Sequence, residues 1–127
     1  MIQWLLVFVG GGVGSALRFL LSKSLAFNPE NHFFPYGTLL ANVLSSFILG
    51  IVIQKHINAQ INEQMKWLLA IGFCGGFSTF STFAYEFYQY ITKGQLVLGI
   101  VYVLISILLT LGAVFAGIRT VMGQDMV

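Results

Sequence analysis

The chain has 127 residues, 57% of them hydrophobic and 8% charged, with a formal net charge of +2. A soluble domain carries about 25% charged residues, so this composition excludes an ordinary soluble protein. So small a net charge gives no ground for nucleic-acid binding, and the mean hydropathy of +0.88 describes an integral membrane protein.

The apolar runs divide the chain into four segments, each near the ~20 residues that cross a bilayer as a helix. They read as one four-helix transmembrane domain over residues 1–127, an all-α membrane protein. Segment one covers about residues 2–25. No basic region and no small-residue cleavage site mark it as a signal peptide, so it reads as a mature transmembrane helix. Gly10/Gly14 and Gly11/Ser15 are small pairs four apart, which suits close helix packing. Arg18 has two readings. An arginine at a helix centre costs about 2.5–3.5 kcal/mol and faces the bundle interior, or it snorkels to the interface from the last turns. The first loop, with Asn28-Pro29 and His32, reads as a surface turn in which His32 has no assigned role.

Segment two covers about residues 36–54. Thr38, Asn42 and Ser46 fall four apart on one face, and Gly50 continues the stripe. Asn42 in mid-membrane needs a partner: either an interhelical hydrogen bond or a polar pore lining supplies it. The second loop is the most polar stretch and reads as a solvated turn without a site.

Segment three, about residues 65–91, contains Gly72-Phe73-Cys74-Gly75-Gly76-Phe77-Ser78-Thr79-Phe80-Ser81-Thr82-Phe83. Gly costs about 1 kcal/mol against Ala in a helix, and Ser and Thr offer the backbone competing hydrogen bonds. The stretch predicts a third helix broken near the midplane at Gly75-Gly76 and restarted at Ser78 or Thr79. Freed backbone groups at that depth need protein, an ion or water as partners, and in transporters such breaks lie at binding sites. The alternative is that the glycines serve packing alone. Phe77, Phe80, Phe83 and Phe87 are expected along one face, beside the hydroxyls of Ser81 and Thr82. Glu86 is expected near the membrane edge, and Cys74, the one cysteine, as an inert small hydrophobe. Segment four, about residues 95–119, carries Tyr102, Ser106 and Thr110 four apart, a second polar stripe that suggests a hydrated route.

Lys55, Lys66 and Arg119 share one side of the membrane, and Lys23, Lys93 and a snorkelling Arg18 the other. The positive-inside rule therefore sets no orientation. A chain that inserts both ways can form an antiparallel homodimer.

The runs Gly10 to Phe19, Gly37-Thr38-Leu39-Leu40-Ala41-Asn42 and Gly72 to Phe83 resemble the signatures of the Fluc (CrcB) fluoride channels. The resemblance covers all four segments in order. It implies a small four-helix chain in an antiparallel dual-topology homodimer, multi-pass in the inner or plasma membrane of a prokaryote. It implies passive, fluoride-selective export that protects the cell from fluoride toxicity, through two pores per dimer. It further implies a central structural sodium ion held by the backbone carbonyls of Gly75 and Ser78. The family's pore phenylalanines fall on Phe80 and Phe83, its pore asparagine on Asn42, and its tyrosine and hydroxyl track on Tyr102, Ser106 and Thr110. The chain departs in having Ser78 where Thr is usual, and Ser15 where Ala is common.

The residue chemistry agrees with an anion path. Phe rings have electropositive edges, hydroxyls and the Asn42 amide donate hydrogen bonds, and weak contacts permit exit as well as entry. A small multidrug-resistance exporter of similar length is the alternative, but it needs a membrane carboxylate, and Glu86 is the one candidate. An enzyme is not expected, since no His-carboxylate pair, metal-ligand cluster or activated nucleophile is present.

Overall fold

The computed structural model describes residues 1–25 and 34–125, and among these the backbone forms helices joined by turns, with no strand. The expected surface turn at Asn28-Pro29 and His32 lies outside the described residues. Helix α1 covers Ile2–Ser24 and α2 covers Tyr36–Ile57. Helix α3 covers residues 63–77 and winds in three ways: an α turn at Glu63–Lys66, a wider π-type stretch at Trp67–Cys74, and a last α turn at Gly75–Phe77. Helix α4 covers Phe80–Thr92 and α5 covers Leu96–Asp125. Four spans are long and apolar enough to cross a membrane: Ile2–Ser24, Tyr36–Ile57, Glu63–Thr92 and Leu96–Asp125. This is a multi-pass membrane protein.

Local chemistry explains the ends. Asn62 Oδ1 accepts the Met65 N–H at 2.9 Å and caps α3, meeting one of the orphan donors of a helix start. Gly94 sits at φ +70 between α4 and α5, a left-handed turn that costs glycine nothing. Helix α5 runs past the expected end at Arg119 to Asp125. There the side chains of Asn58 and Gln60 donate to the Asp125 carboxylate. The second loop is thus tied down: Glu63 also pairs with His56 at 3.0 Å and with Lys66 at 2.7 Å.

Two helix pairs carry the packing, α1 with α3 and α2 with α5, and α4 lies against α5. Both pairs approach backbone to backbone at glycine. Gly10 and Gly14 of α1 abut the α3 backbone around Leu68, Phe73 and Phe77, and Gly76 abuts Gly11. Gly50 and Gly117 do the same between α2 and α5, against Val114 and Phe47. Lipid gives helices no hydrophobic drive to associate, so close van der Waals contact supplies it. A methyl at Gly117 overlaps the Phe47 carbonyl, whereas one at Gly112 meets nothing within 4 Å. Gly117→Ala should therefore destabilise the protein by about 1–3 kcal/mol, as overpacking does, and Gly112→Ala should not. Thermal unfolding in detergent reads the difference.

Candidate functional site

Helix α3 stops at Phe77. Ser78 (φ −80, ψ 157) and Thr79 (φ −151, ψ 122) are extended, and α4 begins at Phe80. The interruption at Ser78-Thr79 therefore lies three residues beyond the expected Gly75-Gly76, and the helix restarts at Phe80, not at Ser78 or Thr79. Gly75 itself is helical, at φ −63 and ψ −36. The reason is packing: Gly76 is held helical against Gly11, where any Cβ would collide with the Gly11 backbone. The two glycines thus divide the two expected roles. Gly76 serves the α1 contact, while a Cβ on the exposed Gly75 would meet nothing within 4 Å.

Side chains from α1, α2 and the interruption itself bond the backbone around it, where the Cys74 carbonyl also keeps its helical Ser78 N–H at 3.0 Å. Asn42 Oδ1 accepts the Thr79 N–H at 2.8 Å, and Asn42 Nδ2 donates to the Thr79 carbonyl at 3.3 Å. Ser45 Oγ donates to the Cys74 carbonyl at 2.9 Å, as does Ser78 Oγ at 2.8 Å. Arg18 Nε donates to the Gly76 carbonyl at 3.0 Å, with Ser15 Oγ at 3.4 Å. Thr79 Oγ1 accepts the Thr82 N–H at 3.2 Å and caps α4. Arg18 thus reaches into the bundle at half-burial. Cys74 is buried.

Four carbonyls, those of Gly75, Gly76, Phe77 and Ser78, lose their usual helical partners across the interruption. In a continued helix the Thr79 N–H would bond the Gly75 carbonyl, and the Thr82 N–H would bond that of Ser78. Asn42 takes the first donor and Thr79 Oγ1 the second. The oxygens of Gly75 and Ser78, which the family resemblance assigns to a cation, are among those released, and neutral carbonyl oxygen is the donor type that suits a hard monovalent cation.

Beside the interruption lies a cavity of about 410 Å3. Helix α2 contributes Asn42 and Ser46, the interruption Ser78 and Thr79, α4 Phe80 and Phe83, and α5 Ser106 and Thr110. Asn42 therefore fills both of its expected roles, bonding the Thr79 peptide and facing the cavity. The rings of Phe80 and Phe83 are 5.7 Å apart and tilted by 41°. Phe80 is 79% exposed in the single chain, so one side of this ring pair is uncovered. Ser106 Oγ is buried close to the Tyr102 hydroxyl and makes no hydrogen bond of good geometry among the described residues. An unsatisfied buried hydroxyl costs about 1–3 kcal/mol, which a bound anion or water would offset. Thr110 Oγ1 donates to the Ser106 carbonyl at 2.6 Å.

Other expected residues lie off the cavity lining. Ser81 is exposed and Thr82 half-buried, both within 3.3 Å of the Thr79 hydroxyl. Tyr102 is fully buried, its ring 5.1 Å from that of Phe83, and its hydroxyl donates to Glu86 Oε1 at 3.2 Å. Glu86 is itself buried, with the Thr38 hydroxyl as a second hydrogen-bond partner. Phe77 does not share the face of Phe80 and Phe83, because the extended residues shift the phase. It is buried, with its ring 5.4 Å from Phe73. Reading the sequence missed Ser45 and the cap role of Thr79. Ser45 lies one residue off the Thr38-Asn42-Ser46 stripe, and a serine beside such a stripe was the available signal.

The family model described as CrcB-like protein, Camphor Resistance (CrcB), matches residues 5–118. The chain belongs to this family. Curated relatives span nearly the whole chain. One from Gloeothece citriformis, named fluoride-specific ion channel FluC, is 40% identical over 121 residues, covering 95% of this chain and 98% of the relative. Relatives of the same name from Leptospira interrogans and Pyrococcus abyssi are 42% and 39% identical, each covering about nine-tenths of both chains. The CrcB relatives are named as ion channels and not as enzymes or exporters, which removes the ground of the multidrug-exporter alternative.

Proposed function

We propose that this chain is a fluoride-selective channel that lets fluoride leave the cell passively and so protects against its toxicity. The observation that carries the reading is the cavity at the interruption, lined by hydroxyls, the Asn42 amide and the rings of Phe80 and Phe83 without a lining cation. The relatives' name supplies the choice of fluoride. The Asn42 amide, the Ser106 hydroxyl and the edges of Phe80 and Phe83 replace part of the ion's hydration. None of these contacts is a full ion pair, so an anion that enters can leave. Ser46 and Thr110 extend the polar surface on either side, and Ser81, Thr82 and Tyr102 support the rings and the α4 cap.

The working unit of this reading is an antiparallel, dual-topology homodimer in a prokaryotic inner or plasma membrane, built from one four-helix domain per copy. The balanced positive charge supports it, as do the open face at Gly75 and the uncovered side of Phe80. The interruption lies near the membrane midplane, where two copies bring the released carbonyls of Gly75 and Ser78 together. Those four oxygens fit a sodium ion, which would supply a fixed positive charge and a structural lock. The Ser78 hydroxyl is spent on the Cys74 carbonyl, so the backbone oxygen matters here more than the side chain.

Three expected results follow from this reading. A fluoride-sensitive bacterium lacking its own exporter should grow in millimolar fluoride when it makes this protein; no rescue despite good expression contradicts the function. Two or three lysines added to the second loop should force one orientation. Activity should then be lost from that version alone and regained with an oppositely biased copy. Glu86→Gln should keep fluoride flux within about tenfold, since the amide oxygen still accepts one of the two hydrogen bonds. A complete loss in purified protein would make the carboxylate itself part of the path.

A further inference from the structure

The strongest unexplained feature is the charged side chain that reaches the interruption from α1. Arg18 lies within a membrane-crossing span, where an arginine costs about 2.5–3.5 kcal/mol. It spends its Nε–H on one backbone oxygen, that of Gly76 at 3.0 Å, which Ser15 Oγ also approaches at 3.4 Å. The Gly76 peptide is pinned on its other side by the Gly11 backbone. Its carbonyl belongs to the same turn as the released carbonyls of Gly75 and Ser78.

We propose that Arg18 is the positioning residue of the interruption: its Nε–H ties the Gly76 carbonyl to α1 and so fixes the turn that presents the Gly75 and Ser78 oxygens. This rests on the sodium site of the proposed function. The charge of Arg18 is not what the site uses. A guanidinium near a cation in low dielectric repels it, so charge alone would argue against an arginine here. The donor at Nε has no such conflict. It also keeps the Gly76 oxygen out of the cation's reach, so that the proposed site uses the Gly75 and Ser78 carbonyls of each copy, four in a dimer. Selectivity among cations follows the number and field of such oxygens.

Side-chain connectivity supplies a clean test. Glutamine carries its Nε2 as many bonds from Cα as the arginine Nε, so Arg18→Gln keeps the donor and removes the charge. Arg18→Met puts a methyl group at that place, and Arg18→Lys a methylene with the ammonium one bond further. Fluoride efflux from liposomes is measured against sodium concentration for the native chain and all three variants. Arg18→Gln should keep the native sodium midpoint. Arg18→Met and Arg18→Lys should raise it by about fivefold, the ratio for one ordinary hydrogen bond. A native midpoint in Arg18→Lys, or a shift in Arg18→Gln, overturns the proposal. A second measurement does not depend on sodium. With carbonyl-13C glycine and 15N phenylalanine, NMR selects the Gly72-Phe73 and Gly76-Phe77 peptides, the two Gly-Phe pairs of the chain. Arg18→Met and Arg18→Lys should move the Gly76 signal and leave Gly72 in place. If native flux ignores sodium, the sodium reading fails while these signals still judge the clamp, and unmoved signals overturn it.

Discussion

Phe80→Ile and Phe83→Ile should each lower fluoride efflux by about 100-fold, which corresponds to ~2.7 kcal/mol on a transport barrier. Isoleucine keeps bulk and apolarity at both positions. What it removes is the electropositive ring edge, in a cavity where these two rings are the main aromatic surface. The variants should still fold and associate, because isoleucine keeps an apolar side chain at both positions and neither ring anchors the single chain's core. Phe80 is 79% exposed in the single chain, and Phe83 is half-buried beside Tyr102. Size-exclusion chromatography beside a flux assay separates the effects. Unchanged flux in both single variants would make the rings packing and not path.

The second large effect is expected on exchanging the purified protein into sodium-free buffer with a bulky organic cation. The Thr79 and Thr82 amides are committed to Asn42 and to the Thr79 hydroxyl, so they cannot return to the oxygens of Gly75 and Ser78 without undoing the interruption. Four such dipoles facing one another in low dielectric repel. Flux should fall by about tenfold or more and dimers should dissociate, since a structural ion contributes its binding free energy to assembly. Gly75→Leu should have the same outcome, by filling the open face on which a second copy would sit. Full activity and intact dimers after exhaustive sodium removal would rule out the ion.

Much of the architecture was legible because it rests on local signals. The four apolar runs gave the four spans, and Gly10 and Gly14 gave the face of α1 that meets α3. The break expected at Gly75-Gly76 is not found there: both residues are helical, and the extended residues are Ser78 and Thr79. The helix cost of Gly75 and Gly76 was weighed in isolation, whereas Gly76 is offset by contact with Gly11 on another helix. The partner that allows the chain to open at Thr79 is Asn42, 37 residues away. Periodicity extended through residues 77–87 put Phe77 beside Phe80, and two extended residues were enough to separate them. The wider winding at Trp67–Cys74 left no mark in composition, because it is set by packing against α1. Arg18 was ambiguous for the same reason, since its acceptor is a carbonyl 58 residues away.

The central claim is that the cavity at the interruption conducts fluoride and rejects chloride. Proteoliposomes loaded with potassium fluoride or potassium chloride, with valinomycin added to balance charge, test it directly through an ion-selective electrode outside. The account predicts rapid fluoride release within seconds, chloride release no faster than from empty vesicles, and loss of the fluoride signal in Phe80→Ile. Equal release of both anions, or fluoride release at the rate of empty vesicles from well-folded protein, would contradict it.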